Sequence, residues 1–242
     1  MKGFISAIQF ITRLPVGKPG TFEPERMVPF FPVVGLMIGA LLALFDLLVS
    51  QIWSRPVASV LDVTFLVWIT GAFHLDGLGD MADGLYGNRP RERALEIMKD
   101  SRIGAMALVT VICALAIKWG GMADMGHSRG LFLLIIPALS RGSMLFGFRF
   151  MNYGRPEGGT GHDLFERKLE LADFRGVAVP VALAFLAGWR GLVLLIAFAA
   201  ITAAILLFYR KRMGCITGDM LGAMTEITES ALFLAAAMGG AA

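Results

Sequence analysis

Seven segments of this chain are apolar for long enough, or nearly long enough, to cross a membrane. They are Phe30–Trp53, Val57–Leu75, Ile103–Gly120, Leu131–Phe150, Phe174–Gly188, Leu192–Tyr209 and Cys215–Ala241. A spanning helix needs about 20 mostly apolar residues to cross a hydrocarbon layer about 30 Å thick. Inside that layer each backbone N–H and C=O must find a partner, and a run of this length finds its partners internally as a helix. The expected fold is therefore all-α, a polytopic transmembrane helical bundle of about seven spans, with residues 1–242 forming a single integral membrane domain. The fifth run is short, and the seventh is polar in its first half. Only Trp189, Arg190 and Gly191 separate the fifth from the sixth, which suits a tight helical hairpin. Composition agrees: 17% of the residues are charged and 56% are hydrophobic, where soluble domains carry about 25% charged residues. A disordered chain, a collagen-like chain and an ordinary soluble enzyme are excluded.

The orientation follows from the Lys and Arg distribution. With the N-terminus placed in the cytoplasm, seventeen of these residues fall on the cytoplasmic side and four, Arg55, Lys118, Arg129 and Arg190, on the far side. Arg141 lies inside a span. Phe4–Leu14 is too short to span and is expected to lie in the interface as an amphipathic helix ended by Pro15. The first fifteen residues lack a small-residue cleavage site, so no signal peptide is expected. Cys113 and Cys215 are expected to be buried small hydrophobes, not a disulfide or a zinc site. The net charge of +3 does not imply nucleic acid, because no soluble module exists to carry a basic face. Both long polar loops, Asp76–Arg102 and Met151–Asp173, fall on the cytoplasmic side, so function is expected there.

The second apolar run leads directly into His74-Leu75-Asp76-Gly77-Leu78-Gly79-Asp80-Met81-Ala82-Asp83-Gly84. Asp76, Asp80 and Asp83 are spaced i, i+4, i+7, which puts them within an arc of roughly 60° on a helix. Three like charges on one face repel unless a cation sits between them. Carboxylate oxygens suit Mg²⁺, which is normally shared with substrate phosphates. The interleaved Gly77, Gly79, Ala82 and Gly84 leave room for a bulky ligand. The plainer alternative is a solvated acidic helix end.

A second acidic face comes from Asp219, Gly222, Glu226 and Glu229 in the last run. Acids inside an apolar helix are costly and face a partner or a wet cavity. Gly218 and Gly222 also form a small-xxx-small pair, so part of this pattern can be helix packing. The cations are Lys99 and Arg102 before the third run and Arg141 within the fourth. A guanidinium matches phosphate oxygens in a two-pronged fork. For Arg141 an ion pair with Asp219 or Glu226 is the structural alternative. His74 adjoins the acids and could orient a carboxylate or a substrate, whereas His127 and His162 read as loop residues.

Metal-type carboxylates and phosphate-type cations at the cytoplasmic face of a polytopic protein fit Mg²⁺-assisted transfer of a phosphate-linked group best. A divalent-cation or proton-coupled transporter is the rival class. It is disfavoured because the acids cluster beside a long cytoplasmic loop and not at the bilayer midplane.

The motifs also carry a resemblance. Phe10-Ile11-Thr12-Arg13-Leu14-Pro15, Phe31-Pro32-Val33-Val34-Gly35 and His74-Leu75-Asp76-Gly77 with Asp80 and Asp83-Gly84-Leu85 resemble the cobalamin synthase family, adenosylcobinamide-GDP ribazoletransferase. So do Met98-Lys99-Asp100-Ser101-Arg102-Ile103-Gly104, Pro137-Ala138-Leu139-Ser140-Arg141 and Thr217-Gly218-Asp219 with Leu221-Gly222-Ala223. These blocks reach from the N-terminus to the last run. An Asp-rich helix alone would be less specific, since prenyltransferases and CDP-alcohol phosphotransferases use similar patterns.

The resemblance implies joining of adenosylcobinamide-GDP to α-ribazole or its 5′-phosphate, with release of GMP and a requirement for Mg²⁺. It implies that Asp76, Asp80 and Asp83 hold metal and pyrophosphate, that Lys99, Arg102 and Arg141 bind phosphates, and that Asp219 or Glu226 completes a second metal site or acts as base. The implied setting is the cell inner membrane with the site facing the cytoplasm. The implied partners are the two substrates and the bilayer; a homo-oligomer or association with other nucleotide-loop enzymes stays open.

Overall fold

The computed structural model describes residues 2–17, 23–155 and 161–239. Lys18 and the end of the seventh apolar run lie outside the described residues. Those residues form helices joined by short loops, with one isolated bridge between Tyr153 and Ile216. In chain order the helices are α1 (Lys2–Ile11), α2 (Pro24–Met27), α3 (Phe31–Val49), α4 (Arg55–Thr70), α5 (Phe73–Leu85), α6 (Arg91–Ile97), α7 (Ala105–Ala123), α8 (Arg129–Phe150), α9 (Arg175–Ala184), α10 (Trp189–Arg212) and α11 (Gly218–Ala237).

Two of these helices form the centre. In their most apolar stretches α8 is 83% buried and α11 72% buried, whereas α7 and α10 are each 28% buried and turn the rest outward. Leu44, Leu47, Leu48, Ile112, Ile196 and Leu207 are exposed, as lipid-facing side chains of a membrane bundle would be. At one end of the bundle Trp53, Trp119 and Trp189 are also exposed, and Trp119 Nε1 donates to the Pro56 carbonyl at 3.0 Å. Tryptophan at such a level fits a membrane–water interface. The tightest pairing is α3 on α8. A Cβ on Gly35 would come within 2.4 Å of the Pro137 carbonyl oxygen, and one on Gly39 within 2.0 Å of that of Leu134. Small residues at i and i+4 thus let the two backbones touch, the usual basis of close helix pairing where lipid removes the hydrophobic drive between helices.

Among the described residues five helices are long and apolar enough to cross, and a sixth span is counted when α4 and α5 are taken as one broken span. The break is a 91° bend at Gly71 and Ala72, which have φ of 63° and 59°. Val57–Leu75 is therefore not one continuous helix. Phe174–Gly188 folds as the ten-residue α9 followed by a single 3-10 turn. Ten residues rise only about 15 Å, half the hydrocarbon thickness.

The face of α1 with Gly3, Ala7, Ile8 and Ile11 is buried against α2 and α3. Other local expectations change. Cys113 is exposed and only Cys215 is buried, both as free thiols. Lys118 and Arg129 are not loop cations, being 3% and 8% exposed. Arg129 binds Asp46 on α3 at 2.8 Å and Asp62 on α4 at 2.5 Å. Lys118 on α7 reaches Glu226 and Glu229 on α11, each at 2.5 Å. Charges this deep persist because they are paired.

Candidate active site

The crossing of α5 over α11 builds the site. α5 buries His74, Leu75, Leu78 and Met81. Gly77 lies so close to α11 that a Cβ there would come within 2.8 Å of the Asp219 carbonyl oxygen, and Gly222 faces the His74 backbone at 3.3 Å. These glycines let two acid-bearing helices approach. Asp219 and Asp76 consequently lie within electrostatic reach of each other, and Asp80 lies within reach of both.

A cation closes the group. Arg155 Nη2 donates to Asp219 Oδ2 at 2.7 Å. Its position is set by the bridge before α11: Gly154 N–H donates to the Ile216 carbonyl at 2.8 Å, and Ile216 N–H to that of Asn152 at 3.0 Å. A Cβ on Gly154 would come within 2.6 Å of Cys215 Sγ, so a larger residue there would force one of the two to shift. The Arg155 Nε is buried and has no partner among the described residues, so there the guanidinium retains a donor. Tyr153 lies beside Arg155 and Asp219; partial burial raises its phenol above the usual range, with Arg155 opposing.

These groups open on a cavity of about 150 Å³ lined by Asp76, Asp219, Arg155 and Tyr153 together with apolar side chains. The apolar wall is a chain of rings. Phe10 meets Phe73 at 5.3 Å and Phe31 at 6.2 Å, and Phe31 meets Phe148 at 6.3 Å. His74 also lines the cavity, with its Nδ1 buried and unpartnered.

The expected site residues do not all meet here. Asp76, Asp219 and His74 line the cavity, and Asp80 adjoins it. Asp83 faces elsewhere: it accepts from the N–H groups of Gly104 at 2.7 Å and Ala107 at 3.0 Å, capping α7. Lys99 is exposed. Arg102 is tied to Asp100 by hydrogen bonds of 2.9 and 3.1 Å from Nε and 2.5 Å from Nη2, which hold the Asp100 carboxyl at about 2. Asp83 and Arg102 border a second, more open cleft of about 530 Å³.

Arg141 is 1% exposed and binds Glu229 and, at 3.0 Å, Ser140. Its partner is thus Glu229, not Asp219 or Glu226. Glu226 is 3% exposed and held by Lys118. Glu226 and Arg141 border only a void of about 10 Å³, too small for a substrate. Arg155, Tyr153 and the four phenylalanines were not singled out by charge spacing. The one sequence signal for them is that Phe10 and Phe31 stand in the family-like blocks.

Asp76, Asp80 and Asp219 are near enough to feel one another's charge and offer the hard oxygens Mg²⁺ takes, but their oxygens are not gathered within ligand distance of one another; among the described residues the one such group is the exposed His162, Asp163 and Glu166. A cation at the cavity would therefore take one or two of these carboxylates together with substrate phosphate.

Comparison with known proteins adds the lineage. The family model described as cobalamin-5-phosphate synthase matches residues 3–237. A protein of Pseudomonas putida named adenosylcobinamide-GDP ribazoletransferase is 38% identical, over 99% of this chain and 100% of its own. Proteins of the same name from Brevibacillus brevis, 34% identical over 97% of both chains, and Alkaliphilus metalliredigens, 35% identical over 97% of this chain and 94% of its own, are similar along their length. No solved structure matches.

Proposed function

The chain belongs to the cobalamin-5-phosphate synthase family, and from that premise we propose that it is an adenosylcobinamide-GDP ribazoletransferase of the cell inner membrane, working at the cytoplasmic face. The observation that carries the reading is the convergence of Asp76, Asp219 and Arg155 on one cavity at the bundle end that holds most of the Lys and Arg.

The reaction asks for three things. A ribose hydroxyl of α-ribazole, or of its 5′-phosphate, must reach the phosphorus that carries the cobinamide. The new O–P bond forms while the P–O bond to the guanosine-side phosphate breaks, and GMP leaves with that electron pair. The hydroxyl proton passes to a carboxylate oxygen, for which Asp76 and Asp219 are the candidates because both line the cavity. The pyrophosphate charge must be met as it shifts, and Arg155, with its unpartnered Nε, can turn part of its fork from Asp219 toward phosphate. Asp80 with one of Asp76 and Asp219 would hold Mg²⁺ together with substrate phosphate, leaving the other acid to take the proton; when bound the ion supplies charge neutralisation for the leaving phosphate. Holding both substrates in register provides the rest of the acceleration.

The test uses the purified protein alone in detergent micelles. With adenosylcobinamide-GDP, α-ribazole and Mg²⁺ it releases GMP and forms a cobalamin. A transporter would consume nothing without two compartments, so absence of GMP release from folded protein would overturn the reading.

A further inference from the structure

We propose that the phenylalanine-walled part of the cavity is the seat of the flat bicyclic base of α-ribazole, so that the acceptor nucleoside enters here base first and presents its ribose to the acids. This rests on the transferase reading above and assigns one of its two substrates to a place.

Asp76, Asp219, Arg155 and Tyr153 are linked by hydrogen bonding and charge and form a common rim. Another part of the lining runs through Phe73, Phe10, Phe31 and Phe148, with consecutive rings 5.3 to 6.3 Å apart, and His74 stands beside Phe73 with its rings 5.4 Å apart. Beyond Phe148 the chain of rings continues to Phe165 at 4.6 Å and then to Tyr153 at 5.2 Å. A planar aromatic body is what such rings stack or meet edge-on.

The chemistry of the two substrates decides which body it is. Guanine carries a carbonyl, an amino group and a ring N–H on its edges. Buried against phenylalanines, each would lose its water partners with no replacement, at about 1–3 kcal/mol per group. The corrin macrocycle with its amide side chains is much larger than a cavity of about 150 Å³. The dimethylbenzimidazole base of α-ribazole has methyl groups and C–H edges, no N–H or carbonyl, and a single ring nitrogen as its one polar edge atom, against three polar groups on guanine. With the base against the rings, the ribose hydroxyls fall on the carboxylate rim, where attack on phosphorus is wanted. The guanosine end of the donor then lies outside this cavity.

Phe73 is the residue to vary, because it lines the cavity yet is 47% exposed, so its loss leaves the packed centre intact. Two measurements on wild type and Phe73→Ala in micelles test the assignment: equilibrium dialysis of labelled α-ribazole, and GMP release with each substrate varied in turn. The expected result is a KM for α-ribazole raised by about tenfold in Phe73→Ala, with the KM for adenosylcobinamide-GDP within about twofold of wild type. In wild type, free 5,6-dimethylbenzimidazole competes with α-ribazole and guanosine does not, a comparison that needs no variant. A KM effect confined to adenosylcobinamide-GDP, or competition by guanosine against α-ribazole, would overturn the assignment while the transferase activity stood. Absence of GMP release, with α-ribazole still bound and the binding weakened in Phe73→Ala, would overturn the activity and leave the assignment in place. Neither release nor binding in wild type would overturn both.

Discussion

Arg155 donates to Asp219 across 2.7 Å at the rim of the cavity, and among the described residues it is the cation whose charge reaches both Asp80 and Asp219. Without it, Asp76, Asp80 and Asp219 would be left with three mutually repelling charges. Arg155→Ala is therefore expected to lower turnover by about two orders of magnitude while shifting the Mg²⁺ concentration needed for half-maximal rate downward, because a competing cation is gone. Arg155→Lys should recover only part of the rate, since the fork to phosphate is lost. A titration of GMP release against Mg²⁺ reads both effects. An unchanged rate in Arg155→Ala would exclude Arg155 from the site.

The three acids of α5 should separate in their effects. Asp76→Asn and Asp80→Asn are expected to abolish GMP release at unchanged thermal stability, since these side chains touch the cavity or its edge and, among the described residues, make no hydrogen bond or ion pair to another helix. Asp83 accepts two backbone N–H groups at the start of α7. Asp83→Ala should cost about 0.5–2 kcal/mol of stability, as loss of a helix cap does, and appear first as a lowered Tm in micelles. If Asp83→Ala keeps its Tm but loses turnover, its place is in the metal site.

How far the sequence carried depended on whether a feature repeats along one helix. Membrane-length apolar runs are local, so most spans were legible, as was the acidic face of α5. The fifth run failed because hydrophobicity does not reveal where a helix stops; α9 ends after ten residues. The bend at Gly71 was hidden because a left-handed residue leaves no periodic trace. Charges inside the helices were visible, but their partners were not. Lys118 meets Glu226 and Glu229 across a separation of more than a hundred residues, and no spacing rule reports such a pair. Arg155 lies in an irregular loop and meets Asp219 where the Tyr153–Ile216 bridge brings the loop to α11. The phenylalanines of the cavity come from α1, α3, α5 and α8, so no single segment shows the wall.

Topology is open to a direct test. Glu92 on α6 and Gln51 after α3 are both exposed, and the bias of Lys and Arg puts the first on the cytoplasmic side and the second on the far side. In a background without native cysteines, Gln51→Cys should react with a membrane-impermeant maleimide in intact cells, and Glu92→Cys only in inverted vesicles. The reverse pattern would turn the active site outward and remove it from any cytoplasmic nucleotide donor.

Arg141 tests whether a charge at membrane depth belongs to chemistry or to architecture. It lies 1% exposed on the most buried helix, bonded to Glu229 and Ser140. Glu229 is shared with Lys118, and Lys118 with Glu226, so two cations and two anions balance across α7, α8 and α11. Removing one member strands its partner in a low-dielectric interior, at a cost of about 3–5 kcal/mol. Arg141→Ala should therefore fail to accumulate or unfold at markedly lower temperature. Arg141→Lys keeps the charge and should retain near wild-type kcat and both KM values per folded molecule, with the defect confined to Tm. The companion Glu229→Gln should destabilise similarly, and the double variant Arg141→Met/Glu229→Gln should be less damaging than the sum of the two single changes, because each relieves the other's unpaired charge. If Arg141→Lys instead lost turnover at full thermal stability, Arg141 would belong to phosphate binding, and the substrate would have to reach deeper between α8 and α11 than the cavity at Asp219 extends.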